Sequence, residues 1–87
     1  METRVAIIGI IVENPVQVGT LNGILHEYSQ YIIGRMGIPY HERNISIISV
    51  AVDAPQDVIS TMSGRIGRLD GISAKAAYSR IAGTDAS

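Results

Sequence analysis

The segment Tyr31–Tyr40 contains the residues with the greatest potential for ligand chemistry in this sequence. Within it, Gly34-Arg35-Met36-Gly37 places an arginine and a methionine between two glycines. Glycines leave backbone N–H groups accessible, and a guanidinium offers five donors to an anionic or polar ligand. A bulged edge strand with Arg35 in solvent explains the same residues without a ligand. Both interpretations stay open at the level of sequence.

The two histidines, His26 and His41, are the next candidates for chemistry. Each has a glutamate beside it, Glu27 or Glu42, and imidazole together with carboxylate suits several divalent ions. They are not spaced as His-x-His or His-x-x-x-His, so a solvated histidine at a helix end and another in a hairpin are favoured. We therefore predict neither a metal site nor any other cofactor.

No arrangement of residues points to catalysis. The acidic residues are scattered, and the absence of Cys excludes a thiolate nucleophile, a thiolate zinc site and an iron–sulfur site. The loop Asn14–Gly19 has the glycine of a phosphate-binding loop but lacks the arginine that would hold the phosphate. We predict that the protein is not an enzyme.

Length and composition indicate one small domain with few charges. The 87 residues carry a net charge of −1, and 17% of them are charged, below the roughly 25% of average soluble domains. A near-neutral chain argues against direct nucleic-acid binding, which needs a basic face. The apolar run 5–12 is far shorter than the ~20 residues of a membrane span and lacks the features of a signal peptide, so a cytoplasmic protein is expected.

Hydrophobic periodicity and helix-capping residues predict six elements in the order β-α-β-β-α-β. Both helices begin at a proline, Pro15 after the capping residue Asn14 and Pro55 among acidic residues. The predicted elements are strand 4–12, helix 14–29, extended segment 31–39, strand 45–52, helix 55–69 and strand 72–78.

Glycine and proline add local expectations to these elements. The second extended segment is predicted to be interrupted at Gly34–Gly37 and stopped by Pro39, with a polar connection over 39–44. Gly64 and Gly67 weaken the second helix, so a close packing contact is expected there.

The element order predicts an α+β fold. Two right-handed βαβ crossovers joined by a hairpin produce the ferredoxin-like plait, a four-stranded antiparallel sheet with both helices on one face. A single domain is expected over residues 1–82, followed by a frayed tail at 83–87.

The first and third strands are aliphatic on both alternating sets of positions, which predicts self-association. Only one set can face the helices, so the other forms an apolar patch of the kind that marks interaction surfaces. The central strands have no aromatic residues for base stacking, which argues against an RNA-binding sheet. We expect a homo-oligomer, a dimer or tetramer, joined through the sheet faces by Ile8, Ile10, Val12, Ile48 and Val50.

Five segments carry a family resemblance: Arg4–Glu13, Ile24–Tyr28, Tyr31–Tyr40, Ile45–Ser49 and Gly64–Leu69. They resemble the iron-only hydrogenase system regulators, small bacterial proteins similar to ACT domains and to the C-terminal domain of the nickel-responsive regulator. The resemblance covers nearly the whole chain, and Gly-Arg-Met-Gly is its most specific part.

The resemblance implies an ACT-like sensory or regulatory module without chemistry of its own. ACT-like domains bind small effectors near the turn after the first strand, which nominates Glu13 and Asn14, facing Gly34-Arg35-Met36-Gly37 of a neighbouring strand or subunit. Nickel sensing does not carry over, because the chain has no Cys and no His on the hairpin strands. The DNA-binding domain of the related regulator has no counterpart, so direct DNA binding is not expected.

Two functional hypotheses result. The first is a small oligomeric regulatory or sensor module that binds a small effector at subunit junctions. The alternative is a protein–protein interaction module that binds no ligand and docks on a maturation or regulatory partner. A thermal-shift panel separates them, because a ligand that binds only the native state raises its stability.

Overall fold

The structure is a computed structural model, and it describes residues 2–80. The predicted tail at 83–87 lies outside the described residues. Six main elements and three short 3-10 turns follow one another along the chain. They are β1 (Arg4–Val12), a turn (Pro15–Gln17), α1 (Val18–Glu27), a turn (Ser29–Tyr31), β2 (Ile32–Tyr40), a turn (His41–Arg43), β3 (Ile45–Ala54), α2 (Gln56–Gly67) and β4 (Ile72–Tyr78).

The four strands form one antiparallel sheet in the order β2-β3-β1-β4. The two long apolar strands, β1 and β3, therefore lie in the centre, while β2 and β4 form the edges. This order confirms the α+β ferredoxin-like plait predicted from the sequence. Within residues 2–80, no helix is long and apolar enough to cross a membrane.

The core lies between the sheet and the two helices. The even-numbered residues of β1 and β3 point into it, and the buried residues of both helices pack onto them. No polar or charged residue is buried within residues 2–80. The buried set is Ala6, Ile8, Ile10, Val12, Leu21, Ile24, Leu25, Ile48, Val50, Val52, Ala54, Ile59, Met62, Ile66 and Ile72.

The corner between β1 and α1 is built from local capping and one left-handed glycine. The Asn14 Oδ1 accepts a hydrogen bond from the Val16 N–H at 3.2 Å, which confirms Asn14 as a helix-capping residue. Gly71 has a φ of 76°, and a Cβ there would lie 2.6 Å from the Asn14 Cβ. The Glu13 N–H also donates to the Gly71 carbonyl at 2.7 Å, so this corner depends on a glycine.

The second strand differs from its prediction. β2 runs without a break through Gly34–Gly37 and past Pro39 to Tyr40. The only irregularity is a shift in register between Ile32 and Gly34, where one extra residue bulges. Because β2 is an edge strand, one side of it needs no hydrogen-bonding partner, and a proline is tolerated there.

The helix glycines also differ from their prediction. A Cβ on Gly64 would lie 3.7 Å from the Arg68 Nη1, and one on Gly67 would lie 3.9 Å from the Ala74 Cβ. Both are ordinary van der Waals distances, so the close packing contact expected from these glycines was wrong. The structure shows no local packing reason for either glycine.

Candidate functional site

The face of the sheet opposite the helices, which we call the open face, carries an apolar surface. It consists of the odd-numbered residues of β1, β3 and β4 and the even-numbered residues of β2 from Gly34 onward, as the strand registers show. Seven large apolar side chains are exposed on it: Val5, Ile7, Ile11, Met36, Ile38, Tyr40 and Ile47. Such a surface on so small a protein is characteristic of an interaction site.

The strands place two charged residues on the open face. Asp53 pairs with Val5 near one end of the sheet, and Lys75 lies on the edge strand β4. Gly9 of β1 pairs with Lys75 and has no side chain, which leaves a shallow depression of about 400 Å³ that Lys75 also lines. The open face therefore combines large apolar side chains with small ones, and its two charged residues lie near one end of the sheet and on an edge strand.

The structure corrects the residues predicted for the oligomer interface. They lie on the side of the sheet that faces the helices and are buried inside the protomer, with exposures of 0–8%. The prediction that one set of positions would form an exposed apolar patch is compatible with the structure, but the choice of set was wrong. The residues that were predicted for the interface and lie in the core instead are Ile8, Ile10, Val12, Ile48 and Val50.

The predicted effector residues do not come together within one protomer. Glu13 and Asn14 follow the last residue of β1, Val12, which pairs with Ser46. The partner of Ser46 on β2 is Pro39 and not the Gly34–Gly37 segment, which lies further along the sheet. Any joint site of these residues would therefore have to span two subunits.

The Gly34–Gly37 segment itself is divided between the two faces of the sheet. Met36 lies on the open face with 62% of its surface exposed. Arg35 points to the helix side, where its Nη2 donates to the Asn22 Oδ1 of α1 at 3.3 Å. Sequence reasoning missed Asn22 as a neighbour of Arg35, because the strand and the helix meet only in the tertiary structure.

A second polar cluster joins the two helices. Arg65 of α2 forms two hydrogen bonds to the Glu27 carboxylate, at 2.9 and 3.1 Å, and donates to the Tyr28 hydroxyl at 3.2 Å. Hydrogen bonding to Arg65 lowers the pKa of Glu27 below its usual range, and the hydrogen bond from Glu27 raises the pKa of Arg65. These two charges neutralise each other beside a groove of about 540 Å³ between the helices.

The connection after β2 contains one more polar pair. The Tyr40 hydroxyl donates to the Glu42 Oε1 at 2.7 Å, and this hydrogen bond raises the pKa of Tyr40. No three His, Asp or Glu side chains within residues 2–80 are grouped so that they could hold a metal ion. His26 lies on α1 and His41 in the turn after β2.

The strand order and the two helices packed on one face of the sheet define the chain as a ferredoxin-like plait. A family model matches residues 4–76, and its description reads "TM1266-like: Iron-only hydrogenase system regulator, putative". The chain belongs to this TM1266-like family, as the sequence resemblance predicted. A regulatory role is the role that the family description gives.

A solved structure shows the same fold. The uncharacterized protein TM1266 from Thermotoga maritima is similar to this chain with a TM-score of 0.85 and 31% sequence identity. The match covers 88% of this chain and 98% of that one. No curated protein matches this sequence.

Proposed function

We propose that this protein is a non-catalytic, cytoplasmic regulatory module of iron-only hydrogenase systems that works as a homo-oligomer joined through its open faces. The observation that carries the proposal is the set of large apolar side chains that are exposed on the open face. Ile11 of β1 pairs with Ile47 of β3, and Ile7 lies further along β1 beyond Gly9. Each of these three side chains exposes between 42% and 51% of its surface. A lone protomer would leave these side chains in water.

A second copy of the chain is the occupant that fits this face. Four strands at ~4.8 Å spacing and about 30 Å length give roughly 570 Å² in projection, or on the order of 1,100 Å² for two copies. That area is comparable to the ~1,000 Å² at the lower end of the range for specific interfaces. The seven exposed large side chains of this face carry no charge that would select a charged partner, and a symmetric dimer requires a surface that fits itself.

The effector part of the proposal concerns the junction between such copies. Met36 lies on the open face, and Gly34 beside it adds no side chain. Glu13 and Asn14 lie beyond the end of β1, at the margin of the sheet. A small effector that bridges these groups from two subunits would couple ligand binding to assembly, which is how a module without catalytic groups can regulate.

Sedimentation velocity on the wild type and two matched variants tests the proposal. Ile47→Lys places a charge on the open face between Ile11 and Ile38, whereas Val16→Lys places the same charge on the turn before α1, at a side chain that is 84% exposed. We expect an oligomeric wild type, an oligomeric Val16→Lys variant and a monomeric, folded Ile47→Lys variant. A wild type that stays monomeric at high micromolar concentration contradicts the proposal.

A monomeric wild type would instead support the alternative, a module that docks on a maturation or regulatory partner. One observation favours that alternative. Every residue of β2 from Ile33 to Tyr40 is exposed, and the outer edge of this strand has no neighbour in the sheet. Such an edge accepts a strand from another protein.

A further inference from the structure

The depression between α1 and β2 has the features of a small binding site. It has a volume of about 320 Å³, at the lower end of the range for small-molecule pockets. Arg35 of β2 lies on one side, and Asn22 and His26 lie one helical turn apart on α1. Ser29, in the turn after α1, completes the polar groups. We propose that this depression, which lies on the helix side of the sheet and apart from the subunit junction described above, binds a small aliphatic carboxylate.

The charge of the depression favours an anion. No acidic side chain lines it, and within residues 2–80 no carboxylate forms an ion pair with Arg35. Among the residues that the structure describes, its guanidinium hydrogen-bonds only to the neutral Asn22 amide, at 3.3 Å, so most of its donors are free for a ligand. The nearest acidic residue in sequence to His26, Glu27, is held by Arg65 on the other helix.

Comparison with the other arginine-lined groove supports this choice of site. The larger groove between the helices also contains an arginine pair, Arg65 and Arg68, but it contains Glu27 as well. A carboxylate ligand there would have to displace Glu27 from Arg65. In the depression at Arg35, the planar guanidinium offers its N–H donors to a ligand carboxylate, and no acidic side chain that lines the depression competes for them.

The floor of the depression favours an aliphatic tail on the ligand. Leu25 is buried at 2% exposure, and Ile32 is half-buried, so the two side chains form an apolar base below the polar rim. Gly37 is on the same side of β2 as Arg35 and has no side chain that would narrow the site. A ligand with a carboxylate and a short branched aliphatic chain fits this depression, because the carboxylate can accept hydrogen bonds from Arg35 and the chain can pack on Leu25 and Ile32.

The test is an NMR titration of ¹⁵N-labelled full-length protein with isovalerate, and with isovaleramide as the uncharged control of the same shape. For a ligand with so few atoms we expect a dissociation constant on the order of 1–10 mM. Shifts should cluster at Asn22, His26, Ser29 and Arg35, and the amide should bind at least fivefold more weakly. Equal binding of the amide, or shifts centred elsewhere, overturns the inference.

Two matched variants locate the binding energy. Arg35→Gln should weaken isovalerate binding at least fivefold, whereas Arg68→Gln removes an exposed arginine from the other groove and should leave it unchanged. Unchanged binding in Arg35→Gln overturns the inference. Inorganic phosphate serves as a second probe: if it binds the same residues more tightly than isovalerate, the ligand class is wrong.

These outcomes are independent of the test of the proposed function. An oligomeric protein that fails to bind isovalerate at Arg35 contradicts only the carboxylate site. A monomeric protein that binds isovalerate there contradicts the oligomer and leaves the site intact.

Discussion

Replacing Ile7 with lysine is expected to separate the proposed oligomer without unfolding the protomer. Ile7 exposes 51% of its surface on the open face, whereas its neighbour Ile8 is fully buried. Full burial of such a side chain contributes about 1.5–3 kcal/mol, so a half-exposed one has about 1 kcal/mol left to gain at an interface. Two copies in a symmetric dimer contribute about 2 kcal/mol, or a roughly 30-fold change in the dissociation constant. Desolvation of two ammonium groups adds to this loss.

The assay combines a dilution series in the ultracentrifuge with thermal melts at each concentration. The melting temperature of an oligomer rises with protein concentration, because association stabilises the native state by mass action. We expect this dependence in the wild type and its loss in Ile7→Lys. Far-UV circular dichroism of the variant should keep the wild-type shape, since substitutions of exposed side chains change protomer stability by only about 0.5 kcal/mol.

The neighbouring position supplies the control. Ile8→Ala removes a fully buried side chain from the core and should cost about 2–5 kcal/mol of protomer stability at every concentration. An Ile7→Lys variant that associates as tightly as the wild type would show that the open face is not the interface. An Ile7→Lys variant that unfolds would show that Ile7 faces the core.

Two further predictions concern the stability of the protomer. Gly71→Ala should lower the free energy of unfolding by at least about 2 kcal/mol in urea melts, because a left-handed backbone and a contact with Asn14 at 2.6 Å both oppose a Cβ. The control variant Gly23→Ala, in open space on α1, should instead raise the free energy of unfolding by up to about 1 kcal/mol. Equal effects of the two substitutions would refute the explanation. Arg65 lowers the pKa of Glu27 in the folded state, so the ionised Glu27 stabilises the fold at pH values above its pKa in the unfolded chain. This stabilisation is lost as the pH falls through the pKa of Glu27 in the folded protein. The wild type should therefore lose more stability than Glu27→Gln between pH 6 and 3.

Features that depend on neighbouring residues were accessible from the sequence. Asn14 and Pro15 start the first helix by local hydrogen bonding and backbone geometry, which need no tertiary contact. The strand Arg4–Val12 was predicted with its observed bounds for the same reason, since a run of β-branched residues favours extended backbone. These local signals, in their order along the chain, were sufficient for the plait.

Features that depend on position within the sheet were not accessible. Pro39 was expected to stop the second strand, yet β2 continues to Tyr40 because it lies at the edge of the sheet. Arg35 was identified as a candidate for ligand binding, but its partner Asn22 is brought to it only by the packing of α1 against β2. Glu13 and Asn14 lie outside this site, since they follow Val12, which is level with Ser46 and Pro39 in the sheet and not with Arg35.

The sequence by itself determined that β1 and β3 would be apolar on both faces, because aliphatic residues occupy both alternating sets of positions. It contained no means of choosing which set faces the helices, since a two-residue period is equally satisfied by either choice. The tertiary structure decided this by packing the helices over Ile8 and Ile10, which leaves Ile7 and Ile11 on the open face. The choice follows from the path of the chain at the β1–α1 corner, where the helix crosses to one side of the sheet.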